Sequence, residues 1–455
     1  MKRILASLVA AAALAAANLT VAAGAPGGPM IGVNVVLKTD ATSAVLANLG
    51  TYGKIRDVLP EIDAVLMQAR ESALSAIRAL PYVAAAGEDA QRYGRPVPSA
   101  PVDDFTAGVS TWDLDAMNVT DFAASPPRTV GYDGSGVYVA VLDTGLLSSW
   151  RYYLPEQRIA TEYAKAFGGG GGDLGNVSEQ PNKWQQDQNS HGTHVTSTIL
   201  GYNMGTRYVN GVAPMATVIP VKVLNQNGSG WSSTVAKGIV YVADLKAGAL
   251  AGSPMVINMS LGGPDLDPME KAAIDYAIEK GVIIVAAAGN AGEAGMGYPG
   301  AYAPVISVAA SGWTGEWLAS SWWRTTDVAD PTNTDDFYIT DFSSRQLAGQ
   351  DLDVAAPGSW VVGPYQTNGQ LSYYYLGGTS MASPHVAGLV ALMAQKDPLL
   401  TAPIAETILE DSAIALPAGC RDVDPGTGTT VEFCWNDDAT GAGLVAADAA
   451  LAATP

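Results

Sequence analysis

The sequence predicts an α/β protein with a mostly parallel sheet and helices on both faces, preceded by a small α+β unit. Three observations carry that expectation. Short runs rich in β-branched residues are almost continuously apolar rather than alternating, which marks strands buried on both faces and hence a parallel sheet. Helical stretches alternate with those runs from roughly Val109 onward. A proline-rich segment, Arg92-Tyr93-Gly94-Arg95-Pro96-Val97-Pro98-Ser99-Ala100-Pro101, separates this region from everything before it.

The elements follow in order. Lys2 and Arg3 precede an apolar run from Ile4 through Ala17, and small residues follow around Val21-Ala22-Ala23-Gly24-Ala25. That is the layout of an export signal, assigned to residues 1–25. The run is short for a membrane span, and no later segment approaches the roughly 18 apolar residues a span needs. The mature chain is therefore expected outside the cytoplasm, extracellular or periplasmic, and free of the membrane. Residues 26–90 read as strand 31–37, helix 41–49, strands 54–59 and 64–69, helix 72–80 and strand 82–86. This β-α-β-β-α-β order is ferredoxin-like. The unit holds no histidine or cysteine, which suits a folding or inhibitory module better than a catalytic one. Residues 91–108 read as an extended, exposed linker open to proteolysis. Residues 109–455 carry strands at 137–142, 217–224, 255–259, 282–287, 305–309 and 352–355, with helices at 232–247, 267–280 and 380–395. Polar motifs gather at the carboxyl ends of these strands, where open α/β sheets bind ligands.

Composition narrows the partners. The 455 residues suit two or three domains, and 24 basic against 44 acidic side chains give 24 − 44 = −20. Such a charge disfavours nucleic acid and anionic lipid as partners. Cys420 and Cys434 stand 14 positions apart without a zinc-site pattern. In an exported chain they form one disulfide; the alternative is two buried thiols.

Only three histidines are present: His191, His194 and His385. An imidazole base working near neutral pH must be one of them. Asp143 ends an apolar strand in Leu142-Asp143-Thr144-Gly145, where it serves either as a turn cap or as a catalytic acid. Ser380 follows Gly377-Gly378-Thr379 at the start of a long apolar helix. It is either a helix cap or a nucleophile at the positive end of the helix dipole. Asn290, after Ala288-Gly289, is either a turn cap or an amide donor to an oxyanion.

Taken together, Asp143, His191, Asn290 and Ser380 occur in the chain order of the subtilisin-type triad. The blocks Leu142-Asp143-Thr144-Gly145, His191-Gly192-Thr193-His194-Val195 and Gly378-Thr379-Ser380-Met381-Ala382-Ser383-Pro384-His385 resemble those of the subtilisin family of serine endopeptidases. Ser260-Leu261-Gly262-Gly263, Ala288-Gly289-Asn290 and Ala355-Ala356-Pro357-Gly358 fall in family order between them. The resemblance implies a secreted endopeptidase made as an autoprocessed zymogen, with residues 26–90 as its inhibitory propeptide and polypeptides as substrates. It implies Asp143, His191 and Ser380 as the triad and Asn290 in the oxyanion hole. Ser260, Leu261 and Gly262 would pair with substrate on one side, and the segment from Gly228 through Gly230 to Trp231 on the other. Gly262, Gly289 and Gly297 would line the pocket for the residue before the cut. Glu293 is the one acid near that pocket, so an apolar or aromatic residue is expected there. The chemistry needs no cofactor; structural calcium fits the family, with no ligands assigned, and the enzyme is expected to be a monomer.

Some segments depart from the family pattern. Val195-Thr196-Ser197-Thr198 places larger side chains where Ala-Gly is usual, and 200–211 differs from the expected calcium loop. Residues 313–339 read as an insertion whose tryptophans pack a loop. Two competing readings are a binding protein on an inactive protease scaffold and a sedolisin-type acid peptidase. The intact Asp143, His191, Asn290 and Ser380 count against the first, and the His191 motif against the second. A zinc peptidase is excluded because no HExxH occurs.

Overall fold

A computed structural model of the chain describes residues 28–93, 97–101, 110–171, 176–205, 207–366 and 371–455, with backbone alone for 93 and 97–101. The expected export signal lies outside the described residues, as do 94–96 and 102–108 of the expected linker.

The N-terminal unit is a four-stranded antiparallel sheet built from Met30–Leu37, Gly53–Leu59, Ala64–Arg70 and Val83–Glu88. Its spatial order is second, third, first, fourth, with helices Ser43–Leu49 and Leu74–Arg78 in the connections. Strand residues alternate between faces, and here both faces are apolar. Val33, Val35, Val65 and Met67 pack with Leu49, Leu74 and Ile77 of the unit's own helices. Ala64 and Leu66, with Leu59 and Ile62, turn the other way and join the core of the larger unit.

In the larger unit the main sheet runs Phe337–Ile339, Ile306–Trp313, Val282–Ala287, Met255–Met259, Tyr138–Asp143, Thr217–Lys222, Lys165–Gly168, Ser178–Glu179, with Val354–Pro357 also on Ile306–Trp313. The pairs at its two ends, made by Phe337–Ile339 and Ser178–Glu179, are antiparallel and the rest parallel. Alternation along Tyr138–Asp143 explains the continuous apolar run. Val139 and Val141 face helices His191–Leu200 and Thr379–Lys396, whereas Ala140 and Leu142 face Ser232–Ala247 and Pro268–Glu279. The helix Thr379–Lys396 is buried all round through Ala394, which its uniformly apolar sequence requires.

One segment differs from expectation. Residues 91–93 are not an exposed linker. Gln91–Tyr93 pairs antiparallel with Ser229–Trp231, Val97–Pro101 pairs antiparallel with Tyr373–Gly377, and Arg92 is wholly buried. Unpaired strand edges recruit an extended chain, and prolines are compatible with such an edge position. Within 200–211, Gly201–Asn203 pairs antiparallel with Tyr208–Asn210. In the insertion, Trp322 lies 5.9 Å from Trp112 and stacks on Tyr375, so it joins the start of the larger unit to the strand before Ser380.

Candidate active site

Asp143 is the last residue of a central strand, and His191 opens the helix His191–Leu200. The ring Nδ1 of His191 lies 2.8 and 2.9 Å from the two Asp143 oxygens, with both side chains buried. Thr144 N donates to Asp143 Oδ1 at 2.6 Å, and Thr144 Oγ1 accepts from Gly192 N at 2.9 Å, which locks the two motifs together. His191 Nε2 is buried without a hydrogen-bond partner. The Ser380 hydroxyl donates to Ser260 O at 3.1 Å. Ser380 Oγ and His191 Nε2 are thus not hydrogen-bonded to each other, and such a bond often tightens only in the reacting complex.

Pro384 shapes the helix that carries Ser380. It has no N–H to give to the carbonyl four residues earlier, which is that of Ser380. Ser260 Oγ supplies the missing donor at 2.8 Å. Ser260 Oγ in turn accepts from Asn258 Nδ2, and Asn258 Oδ1 accepts from Ser383 Oγ at 2.7 Å. The sequence motifs do not point to Asn258, although a lone amide inside Met255-Val256-Ile257-Asn258-Met259 is itself a signal. Asn290 Oδ1 accepts from both the Thr379 amide and hydroxyl at 2.9 Å. A Cβ on Gly378 would stand 3.3 Å from Asn290 Nδ2 and 3.7 Å from Ser380 N. The absent side chain is what leaves the space between those two donors open.

Beside them lies a cavity of about 460 Å³ lined by Gly262, Gly289 and Gly297 together with Asn290 and Ser380. Its remaining lining includes Leu261, Met296 and Gln350 and contains no charged residue; Glu293 is exposed and outside it. Gln350 fixes the loop by accepting from Met296 N at 2.9 Å and donating to Met296 O. Gly230 and its neighbours on the opposite edge are paired with Gln91–Tyr93, and Gly228 precedes that strand at φ +70°.

The other two histidines are tied into the framework. Burial lowers the pKa of His194 to about 3, so it is neutral, with Nε2 3.2 Å from Val361 O. His385 lies between Met381 O and Asp113 Oδ2 at 2.8 and 2.9 Å. At 195–198, Thr196 and Ser197 turn their hydroxyls back to Gly192 O and His194 O, while Thr198 Oγ1 is buried without a hydrogen-bond partner. Next to Asp143 and His191, Asp187 accepts from Thr144, Asn189 and Ser190. Burial raises its pKa to about 6 against the pull of Lys222.

Two acidic groups could hold a cation: Asp351, Asp353 and Glu406, and Asp115, Asp121 and Asp327. In each, the ligand oxygens lie within 4.8 Å of one another, twice a Ca–O bond of roughly 2.4 Å. Asp353 Oδ1 and Asp115 Oδ1 are buried with no hydrogen-bond donor, so each has an oxygen to offer a cation. Cys420 and Cys434 are disulfide-bonded across the hairpin Gly419–Val423 and Val431–Trp435. Among the described residues no helix is long and apolar enough to cross a membrane.

Comparison with known proteins agrees with this geometry. Residues 134–443 match the subtilase family. Subtilisin DY of Bacillus licheniformis is 36% identical over 297 residues, covering 64% of this chain and 89% of its own. Subtilisin E of Bacillus subtilis (strain 168) is 33% identical over 370 residues, covering 80% and 79%. Among solved structures, fervidolysin from Fervidobacterium pennivorans, a keratinolytic enzyme related to subtilisin, matches 93% of this chain with a TM-score of 0.63 at 25% identity. This chain spans 61% of fervidolysin. Sphericase gives a TM-score of 0.54 at 30% identity over 75% of this chain and 99% of its own. With the matched region covering more than half of its length, the chain belongs to the subtilase family, whose members are serine endopeptidases acting on polypeptide substrates.

Proposed function

We propose that this chain is a secreted serine endopeptidase made as a zymogen, with residues 26–90 as an inhibitory propeptide that the enzyme itself removes. In this reading Ser380 Oγ attacks the scissile carbonyl while His191 Nε2 takes its proton and later gives it to the leaving amine. Asp143 holds the imidazole through Nδ1 and stabilises its charged form. Asn290 Nδ2 and the Ser380 amide receive the oxyanion. A side-chain donor of this kind contributes about 2.7–4 kcal/mol, a magnitude measured in subtilisin itself. The neutral cavity beside Gly262, Gly289 and Gly297 takes an apolar side chain before the cut.

One observation carries the zymogen reading. The segment leaving the N-terminal unit pairs with Ser229–Trp231, and the chain resumes on Tyr373–Gly377, the strand that runs directly into Ser380. The described strands on either side of residues 94–96 thus lie against elements that flank Ser380, as a bound substrate would, and the cut is assigned to the part of 91–108 that follows Tyr93. The charged and apolar order at residues 1–25 supports export. Family members often bind structural calcium. Asp351, Asp353 and Glu406 would hold one ion and Asp115, Asp121 and Asp327 another, each supplying cross-linking of loops and no chemistry.

The test compares the wild-type chain with Ser380→Ala by intact mass after secretion or refolding. The wild type should lose its N-terminal unit and leave a fragment of roughly 36 kDa, at about 100 Da per residue, while Ser380→Ala stays whole. Identical cutting of both chains would assign processing to another protease. Two folded but uncut chains would favour an inactive scaffold.

A further inference from the structure

The neutral cavity at Ser380 accounts for one substrate residue, and the strand that occupies the groove shows a second recognition chemistry. Arg92 is paired in register with Gly230, in the position a substrate residue would take, and its side chain is wholly buried. Its Nε donates to Glu270 Oε2 at 2.8 Å, Nη2 donates to the same oxygen, and Nη2 also reaches Asp265 O at 2.8 Å. Glu270 is buried as completely as its partner, and its Oε1 has no donor at all. The acid belongs to the larger unit, in the first turn of Pro268–Glu279, whose N-terminus is capped by Asp267.

We propose that Glu270, with the Asp265 carbonyl, forms a guanidinium-binding subsite that makes the processed enzyme favour arginine at the substrate position paired with Gly230. The inference rests on the zymogen reading above, because it takes Arg92 as a stand-in for a substrate side chain.

When the N-terminal unit departs, Arg92, Asn34 and Asp89 leave together, and Glu270 keeps the neighbouring Asp267 but loses its cation. That departure lets water reach the acid, and a substrate side chain that covers it again must supply the counter-charge it has lost. A substrate arginine in the same register restores both contacts. Lysine does so less well, because one ammonium cannot serve Glu270 and the Asp265 carbonyl with the planar, forked geometry of a guanidinium. An apolar residue leaves the acid unsatisfied, and an acidic one adds repulsion. Charge selection is thus placed away from the scissile bond, while the residue before the cut is chosen by shape. Remote contacts of this kind act on kcat/KM.

The experiment uses enzyme recovered from the processed full chain and a set of apolar fluorogenic peptides in which a single arginine is moved one position at a time. One position, upstream of the cut, should raise kcat/KM by about tenfold or more over leucine at that place, with lysine intermediate and glutamate below leucine. In Glu270→Gln the arginine-to-leucine ratio at that position should fall towards one. A flat response along the peptide, or a preference that survives both Glu270→Gln and Glu270→Leu, overturns the subsite while leaving the protease reading standing. Failure of the wild type to cut any of the peptides would remove the protease reading and the subsite with it.

Discussion

The two units of this chain bury polar groups in opposite ways. Inside the larger unit the hydroxyls and amides that support Ser380 are neutral and bond one another, as in the chain from Ser383 through Asn258 and Ser260 to the Ser380 carbonyl. Where the N-terminal unit meets it, the contacts are ionic or charge-assisted. Arg92 meets Glu270, Lys237 meets Asp57 at 2.7 Å, and Asn34 donates to Asp267 at 2.8 Å. Asp89 accepts from Ser233 N and the hydroxyls of Ser232 and Ser233 at the start of Ser232–Ala247, where a carboxylate also favours the helix dipole. Neutral networks inside a core have nowhere to go, but ions at an interface can be rehydrated when it opens. The difference separates a permanent joint from a removable one.

The sharpest way to break that comparison is Arg92→Ala in the uncut Ser380→Ala chain. Removing one partner of a fully buried pair costs about 3–5 kcal/mol. The cost should fall on the hold of the N-terminal unit, seen as faster hydrogen exchange in Met30–Leu37 and Val83–Glu88, with Met255–Met259 unchanged. Equal loss of protection in both units would mean that they unfold as one body.

Asn258→Ala tests the other side and should be milder. It strands the Ser383 hydroxyl and weakens the support of the Ser380 carbonyl, at roughly 1–3 kcal/mol for unsatisfied buried groups. Here melting of the catalytic unit and kcat should fall together. A drop in melting temperature with kcat untouched would show that the Asn258 network holds the core but not the nucleophile.

The sequence made the framework legible because its signals were local. Continuous apolar runs marked the parallel strands, and Asp143, His191, Asn290 and Ser380 each sat in a distinctive motif at a strand end or helix start. What stayed hidden was pairing between distant residues. Arg92 reads as part of a polar linker until an edge strand far along the chain captures it, with Arg92 opposite Gly230. Glu270 reads as an ordinary first-turn acid. Acidic Asp327 in the tryptophan-rich insertion carries no sign that it converges with Asp115 and Asp121.

Those acidic groups give the comparison its last and smallest test. At the interface, carboxylates meet protein cations; in the two acidic triads, the charges acting on Asp115 and Asp353 include further acids. Burial raises both from the usual 3.8 to about 7, with Asp327 and Asp121 pushing Asp115 further up, and Glu406 and Asp351 doing the same for Asp353. A carboxyl whose folded pKa is raised binds more protons folded than unfolded. The stability it contributes is full below about pH 4 and is lost as pH rises through about 7. Calcium reverses the loss, because it binds the ionised oxygens. In the uncut Ser380→Ala chain, calcium over chelator should raise the melting temperature by roughly 5 °C at pH 8 and much less at pH 5. Asp327→Asn should shrink the pH 8 gain while stabilising the calcium-free chain, since it removes repulsion. An equal gain at both pH values would mean that calcium binds elsewhere, and loss of stability in calcium-free Asp327→Asn would mean that Asp327 is held by a protein partner instead.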